Sequence, residues 1–129
     1  MNAFILDASA LLVMLLEEAG GDKVAEATAG VRMSVVNFSE MVSHFIHNGM
    51  PPNEVDAMLN PLLIALVPVS VELARIAGRL RAPTAEAGLS LGDRFCLALA
   101  LAEKLPAWTS DRQWTAIADK VRVDIVAIR

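Results

Sequence analysis

Apolar positions in this chain fall into short unbroken runs separated by longer stretches of helical spacing, and an acid, a glycine or a proline marks most of the joints. Residues 3–6 are fully apolar and end at Asp7, the pattern of a central parallel strand buried on both faces. Residues 8–18 follow as a helix, Gly20-Gly21 breaks it, and 22–29 reads as a second short helix stopped by Gly30. Residues 33–36 form the next strand. Asn37 opens a helix that runs to 48 and stops at Gly49, before Pro51-Pro52. Proline at the first helical turn suits a further helix over 53–60. Residues 64–69 make a third strand, and Pro68 places it at an edge of the sheet. Ser70 caps a helix over 71–82, and 83–88 is a loop.

The stretch 89–111 organises the rest. Leu89-Ser90-Leu91-Gly92-Asp93 leads into alternating leucine and alanine over 97–102, which predicts a helix because both are strong helix formers and β-branched residues are absent. At about fourteen residues it is too short to span a bilayer. Pro106 ends it, Ala107-Trp108-Thr109 reads as a strand, and Asp111 opens a short helix to 119 before a last strand over 121–128. Strands alternating with helices predict an α/β fold, a central parallel sheet of about five strands with helices on both faces. No repeat or linker divides residues 1–129, so one domain is expected.

Composition changes the picture in three ways. A hydrophobic content of 55 % is high for a soluble domain and points to a surface covered by a second copy or another chain, with the apolar helices near 11–16 and 55–63 as candidates. Cys96 is the only cysteine, so no internal disulfide is possible, and a reducing cytoplasmic setting is expected. No basic residue precedes the apolar run at 10–16, which argues against a signal peptide. The net charge of -4 argues against sequence-blind wrapping of nucleic acid by a broad basic face, but not against a nuclease whose acids gather to hold cations.

Four acids stand at strand-to-helix junctions: Asp7, Glu40, Asp93 and Asp111. Each has a structural explanation. Asn37-Phe38-Ser39-Glu40 and Ser90-Leu91-Gly92-Asp93 have capping-box spacing, and Asp7 or Asp111 would serve as a helix cap. As a set they point to chemistry, because in a parallel sheet these junctions share one edge, where such folds bind ligands. Carboxylates that close repel unless a cation sits between them, and Mg²⁺ or Mn²⁺ takes oxygen ligands of this kind. Such a site polarises a phosphodiester and activates water for in-line attack. Ser9 and Thr109, beside the acids, would hold a water or orient a carboxylate.

These residues resemble the PIN-domain ribonucleases, most closely the VapC-type toxins of toxin-antitoxin pairs. Ile5-Leu6-Asp7-Ala8-Ser9 is similar to the family's first motif, Asn37-Phe38-Ser39-Glu40 to its second, Leu89-Ser90-Leu91-Gly92-Asp93 to its third and Thr109-Ser110-Asp111-Arg112 to its fourth. The resemblance covers nearly the whole chain. It implies a metal-dependent endoribonuclease with Asp7, Glu40, Asp93 and Asp111 as ligands of Mg²⁺ or Mn²⁺, an RNA substrate, homodimerisation and a small antitoxin partner. Arg94 stands where the family more usually has a small residue.

Arg94 and Arg112 each follow a proposed ligand and are candidates for RNA phosphate contact; the alternative is an arginine that is solvated or paired with a carboxylate. Trp108 is expected in the core, whereas Trp114 is open between core and base stacking. His44 and His47 read as surface or dimer-contact residues, since no zinc motif is present. Arg75, Arg79 and Arg81 read as a solvent face. Three competing readings remain. An aspartyl-phosphate phosphatase would use Asp7 as nucleophile but lacks a second acid at Ser9. An RNA-processing PIN nuclease would share the chemistry without a toxin role. A non-catalytic PIN-like module would bind protein instead.

Overall fold

The computed structural model describes residues 3–27 and 30–129. In chain order the strands are β1 (Phe4–Leu6), β2 (Val31–Ser34), β3 (Ala65–Val67), β4 (Ala107–Thr109) and β5 (Ile125–Ala127). The helices are α1 (Ala8–Leu15), α2 (Gly21–Ala25), α3 (Val35–His47), α4 (Pro52–Leu59), α5 (Val71–Arg79), α6 (Arg81–Thr84), α7 (Leu91–Glu103) and α8 (Ala118–Val121), with a 3-10 helix over Arg112–Ile117. All four strand pairings are parallel, and the sheet runs β3-β2-β1-β4-β5.

Every residue of β1 is buried. Phe4 and Leu6 enter one core with Leu11, Met33, Met41 and Val55, while Ile5 enters a second with Ala77, Leu97, Leu99 and Trp114. Successive strand side chains point to opposite faces, so a strand between two helical layers must be apolar throughout. The first core belongs to α1–α4, the second to α5, α7, α8 and the 3-10 helix. β3 is an edge strand, as Pro68 required. No helix among the described residues is long and apolar enough to cross a membrane.

Several element ends differ from the sequence reading, each for a local reason. α1 stops at Leu15 instead of 18, because Glu17 turns left-handed at φ 55°. The helix expected over 22–29 is the shorter α2, and positions 28 and 29 lie outside the described residues. β2 and α3 both begin two residues early. Ser34 caps α3 by accepting from the Val36 amide at 3.2 Å, which draws the β-branched Val35 and Val36 out of the strand. The expected loop over 83–88 begins inside α6, whose first turn accommodates Pro83. Val121 ends α8, and Arg122 at φ 58° turns the chain, so the last strand starts only at Ile125. Of the apolar helices proposed as covered surface, Leu11, Val55 and Leu59 instead face the core, while Leu16 and Leu63 are exposed.

Gly20 is a position where the fold needs glycine. Its φ is 94°, and an added Cβ would fall 2.8 Å from the Ile128 carbonyl carbon and closer to its oxygen, both backbone atoms that cannot move aside. Gly20→Ala is expected to destabilise the protein by about 2 kcal/mol in urea unfolding at unchanged m-value. A midpoint equal to wild type would contradict the close approach of the α1–α2 turn to the C-terminal segment.

Candidate functional site

Asp7 is 3 % exposed at the end of the central strand. Three donors hold its carboxylate. The Ala10 amide gives 2.8 Å to Oδ1, Ser9 Oγ gives 2.8 Å to Oδ1 and 3.0 Å to Oδ2, and Thr109 Oγ1 gives 2.8 Å to Oδ2. The hydroxyls are themselves fixed: Ser9 Oγ accepts from the Ser110 amide at 3.2 Å and Thr109 Oγ1 from the Asp111 amide at 3.1 Å. Burial still outweighs these bonds, and with the nearby charge of Asp93 it raises the Asp7 pKa from 3.8 to about 6. Among the described residues no Lys, Arg or His forms an ion pair with this buried acid.

Glu40 reaches the same end of the sheet from α3. Asn37, one turn earlier and 1 % exposed, donates from Nδ2 to Glu40 Oε1 at 2.8 Å and to the Gly92 carbonyl at 3.0 Å, tying α3 to the first turn of α7. The capping box expected over 37–40 does not form, since Ser34 is the cap and Asn37 lies inside the helix. At the start of α7 the other expected box does form: the Asp93 amide donates to Ser90 Oγ, and Asp93 Oδ2 accepts from the Ser90 amide at 3.0 Å. Asp111 caps the 3-10 helix by accepting from the Gln113 amide at 2.9 Å through Oδ1.

Cys96 lies beneath this edge. Burial pushes its thiol well above the ordinary range, and the negative charges of Asp7, Asp93 and Glu40 raise it further. Yet among the described residues no three His, Cys, Asp or Glu side chains are close enough to hold a metal ion as they stand. The donors are all carboxylate oxygens and Asp7 is uncompensated, which suits a hard divalent cation; the four acids around one closed pocket expected from sequence are not seen in that form.

The remaining candidates separate. Arg94 is turned into the protein, 9 % exposed, with one guanidinium nitrogen donating to the Ala77 carbonyl at 3.1 Å and Nε without a partner. A side chain so placed is not presented to a phosphate. Arg112 is exposed, and its Nε donates to the Arg129 carbonyl at 2.8 Å. Trp114 is 1 % exposed in the core, closing the base-stacking option, and Trp108 stacks on Phe4 with ring centroids 3.8 Å apart. Sequence reasoning missed Asn37 and Gly92. An amide three residues before an acid on one helix face was the available signal for the first, and a glycine inside a leucine-rich helix for the second.

A parallel α/β domain that gathers acids at the carboxyl ends of its strands is the class the fold and site define. More narrowly, the PIN domain model matches residues 4–120, and the chain belongs to that family. No curated protein matches it in sequence. It is similar in fold to a toxin-antitoxin complex from Klebsiella pneumoniae (17 % identity, 98 % of each chain covered, TM-score 0.74) and to DNA-bound VapBC from Salmonella typhimurium (16 %, 100 % of each chain, 0.75). It is also similar to VapC20 of Mycobacterium tuberculosis, a sarcin-ricin loop cleaving toxin (16 %, 88 % of this chain and 94 % of that one, 0.70).

The Asp7 shift has a definite sign. Between about pH 4 and 6 the folded protein holds a proton that the unfolded chain has released, so this group's contribution is most favourable below 4 and is lost as pH rises through 6. The difference is on the order of 3 kcal/mol. In chelator at pH 7, Asp7→Asn is therefore expected to be more stable than wild type in urea unfolding, with the gap closing by pH 4. Saturating Mn²⁺ should reverse the order by stabilising wild type alone. A gap independent of pH would refute the burial cost.

Proposed function

We propose that this protein is a divalent-metal-dependent endoribonuclease acting as the toxin of a toxin-antitoxin pair. The observation that carries the reading is the buried carboxylate of Asp7, held by hydrogen bonds with its pKa raised, at the end of the sheet where Asn37 ties Glu40 to the first turn of α7. Asp7, Glu40, Asp93 and Asp111 would hold Mg²⁺ or Mn²⁺. Bound there, the cation would polarise the phosphodiester and activate a water for in-line displacement. The chain's own part is orientation. Ser9 and Thr109 fix the Asp7 carboxylate, Asn37 holds one oxygen of Glu40, and the caps on Asp93 and Asp111 each engage one oxygen and leave the other for a cation. No protein nucleophile is required.

RNA as substrate and an antitoxin as partner are supported by the motif resemblance and by the toxin-antitoxin complexes that share the fold. Exposed Leu63, Leu66, Val69 and Val71 suit a covered surface, whether a second copy or the antitoxin. A cytoplasmic setting agrees with this role. One observation favours a second reading: the acids are not closed into a ligand set, as a protein-binding module without catalysis would allow.

Purified protein free of any partner is expected to cut structured RNA at discrete sites with Mg²⁺ or Mn²⁺ and to stop in chelator. Asp93→Asn keeps an oxygen for the helix cap but removes the charge, and should slow cleavage by about 100-fold or more. Cleavage that survives chelation would sink the mechanism. Inert wild type and variant, with no heat of metal binding, would favour the module.

A further inference from the structure

Glycine is a poor helix residue, and Gly92 lies in the first turn of α7 with ordinary helical angles, so its own backbone does not ask for glycine. The reason lies across the interface with α3. A Cβ added at Gly92 would fall 2.5 Å from the Glu40 carboxyl carbon and Oε1, and closer still to Oε2. The Glu40 carboxylate thus occupies the space that a side chain at 92 would take. Asn37 closes the arrangement, because its single Nδ2 donates to Glu40 Oε1 and to the Gly92 carbonyl together. Asn37 Oδ1 is buried without a partner, so the amide's orientation is set by the Nδ2 pair alone.

We infer that Gly92 and Asn37 are positioning residues for Glu40: the missing side chain makes room for its carboxylate on the first turn of α7, and the amide holds it there. The inference rests on reading Glu40 as a cation ligand. It explains why glycine directly precedes Asp93 in a helix otherwise rich in leucine and alanine. The clash also has a direction. The group that must move is the tip of a flexible side chain, so Gly92→Ala displaces the carboxylate and leaves the helix packing in place.

The test is a cycle of Gly92→Ala and Glu40→Ala, singly and together, with Gly78→Ala as control. Gly78 is in α5, and a Cβ there meets nothing within 4 Å. Full-length proteins are melted in chelator, titrated with Mn²⁺ by calorimetry and assayed on RNA. The control should melt above wild type and bind Mn²⁺ equally well. Gly92→Ala should fold but bind Mn²⁺ at least about tenfold more weakly, as loss of a ligand's supporting contacts typically does. In the Glu40→Ala background the same change should raise the melting temperature, as the control does, and cause no further loss of affinity.

Wild-type affinity in Gly92→Ala would overturn the inference, as would an equal loss in the Glu40→Ala background. If Gly92→Ala does not fold, Asn37→Ala decides: it should weaken Mn²⁺ binding comparably and add nothing once Glu40 is removed, and undiminished binding would overturn the inference. Wild type that binds Mn²⁺ but cuts no RNA would sink the nuclease reading alone. Wild type that binds no Mn²⁺ would sink both.

Discussion

A carboxylate cannot be buried at the end of a central strand unless donors surround it, and much of this structure can be traced to meeting that need for Asp7. The Ala10 amide comes from the first turn of α1, so the helix must start directly after the strand. Thr109 comes from β4, so β4 must lie beside β1 with its end in register. The amides of Ser110 and Asp111 then complete the two hydroxyls and fix the turn that follows β4. Sheet order and the path out of β4 are thus coupled to one acid. Removing that acid's charge would relieve the cost of burying it and remove the reason for the network, so on the proposed reading stability and cation binding pull in opposite directions at this residue.

Much of this was legible in the residues. A three-residue strand buried on both faces, an edge strand followed by proline, and a leucine-alanine helix all follow from burial and propensity, and the structure has them at β1, β3 and α7. What could not be read was decided by single side chains in three dimensions. Ser34 and Asn37 are both good cap residues, and only packing selects Ser34. Once it does, Asn37 moves from a helix start to the buried face of α3, changing from a cap into the holder of Glu40. Arg94 shows the same limit in reverse. An arginine beside an acid suggests phosphate contact, but its place on α7 turns it under α5, where it takes the Ala77 carbonyl. Linear adjacency to a ligand does not determine direction on a helix, since neighbours in sequence lie about 100° apart.

The structural and chemical explanations of the acids turn out not to compete. Asp93 and Asp111 serve as caps through one oxygen each, and Asp7 caps α1 while standing at the strand edge. A carboxylate has about four acceptor sites, so a backbone amide on one oxygen steers the other without consuming it. Capping also places each of these acids at the amide-rich start of a helix. The cost that capping cannot remove is the desolvation visible at Asp7, to which the nearby charge of Asp93 adds. Three of the acids, Asp7, Asp93 and Asp111, are anchored by backbone amides, and Glu40 by the Asn37 side chain. On the proposed reading a divalent ion bound beside Asp7 would offset both its desolvation and the charge of Asp93, so the raised Asp7 pKa and the proposed affinity for a cation have one physical source.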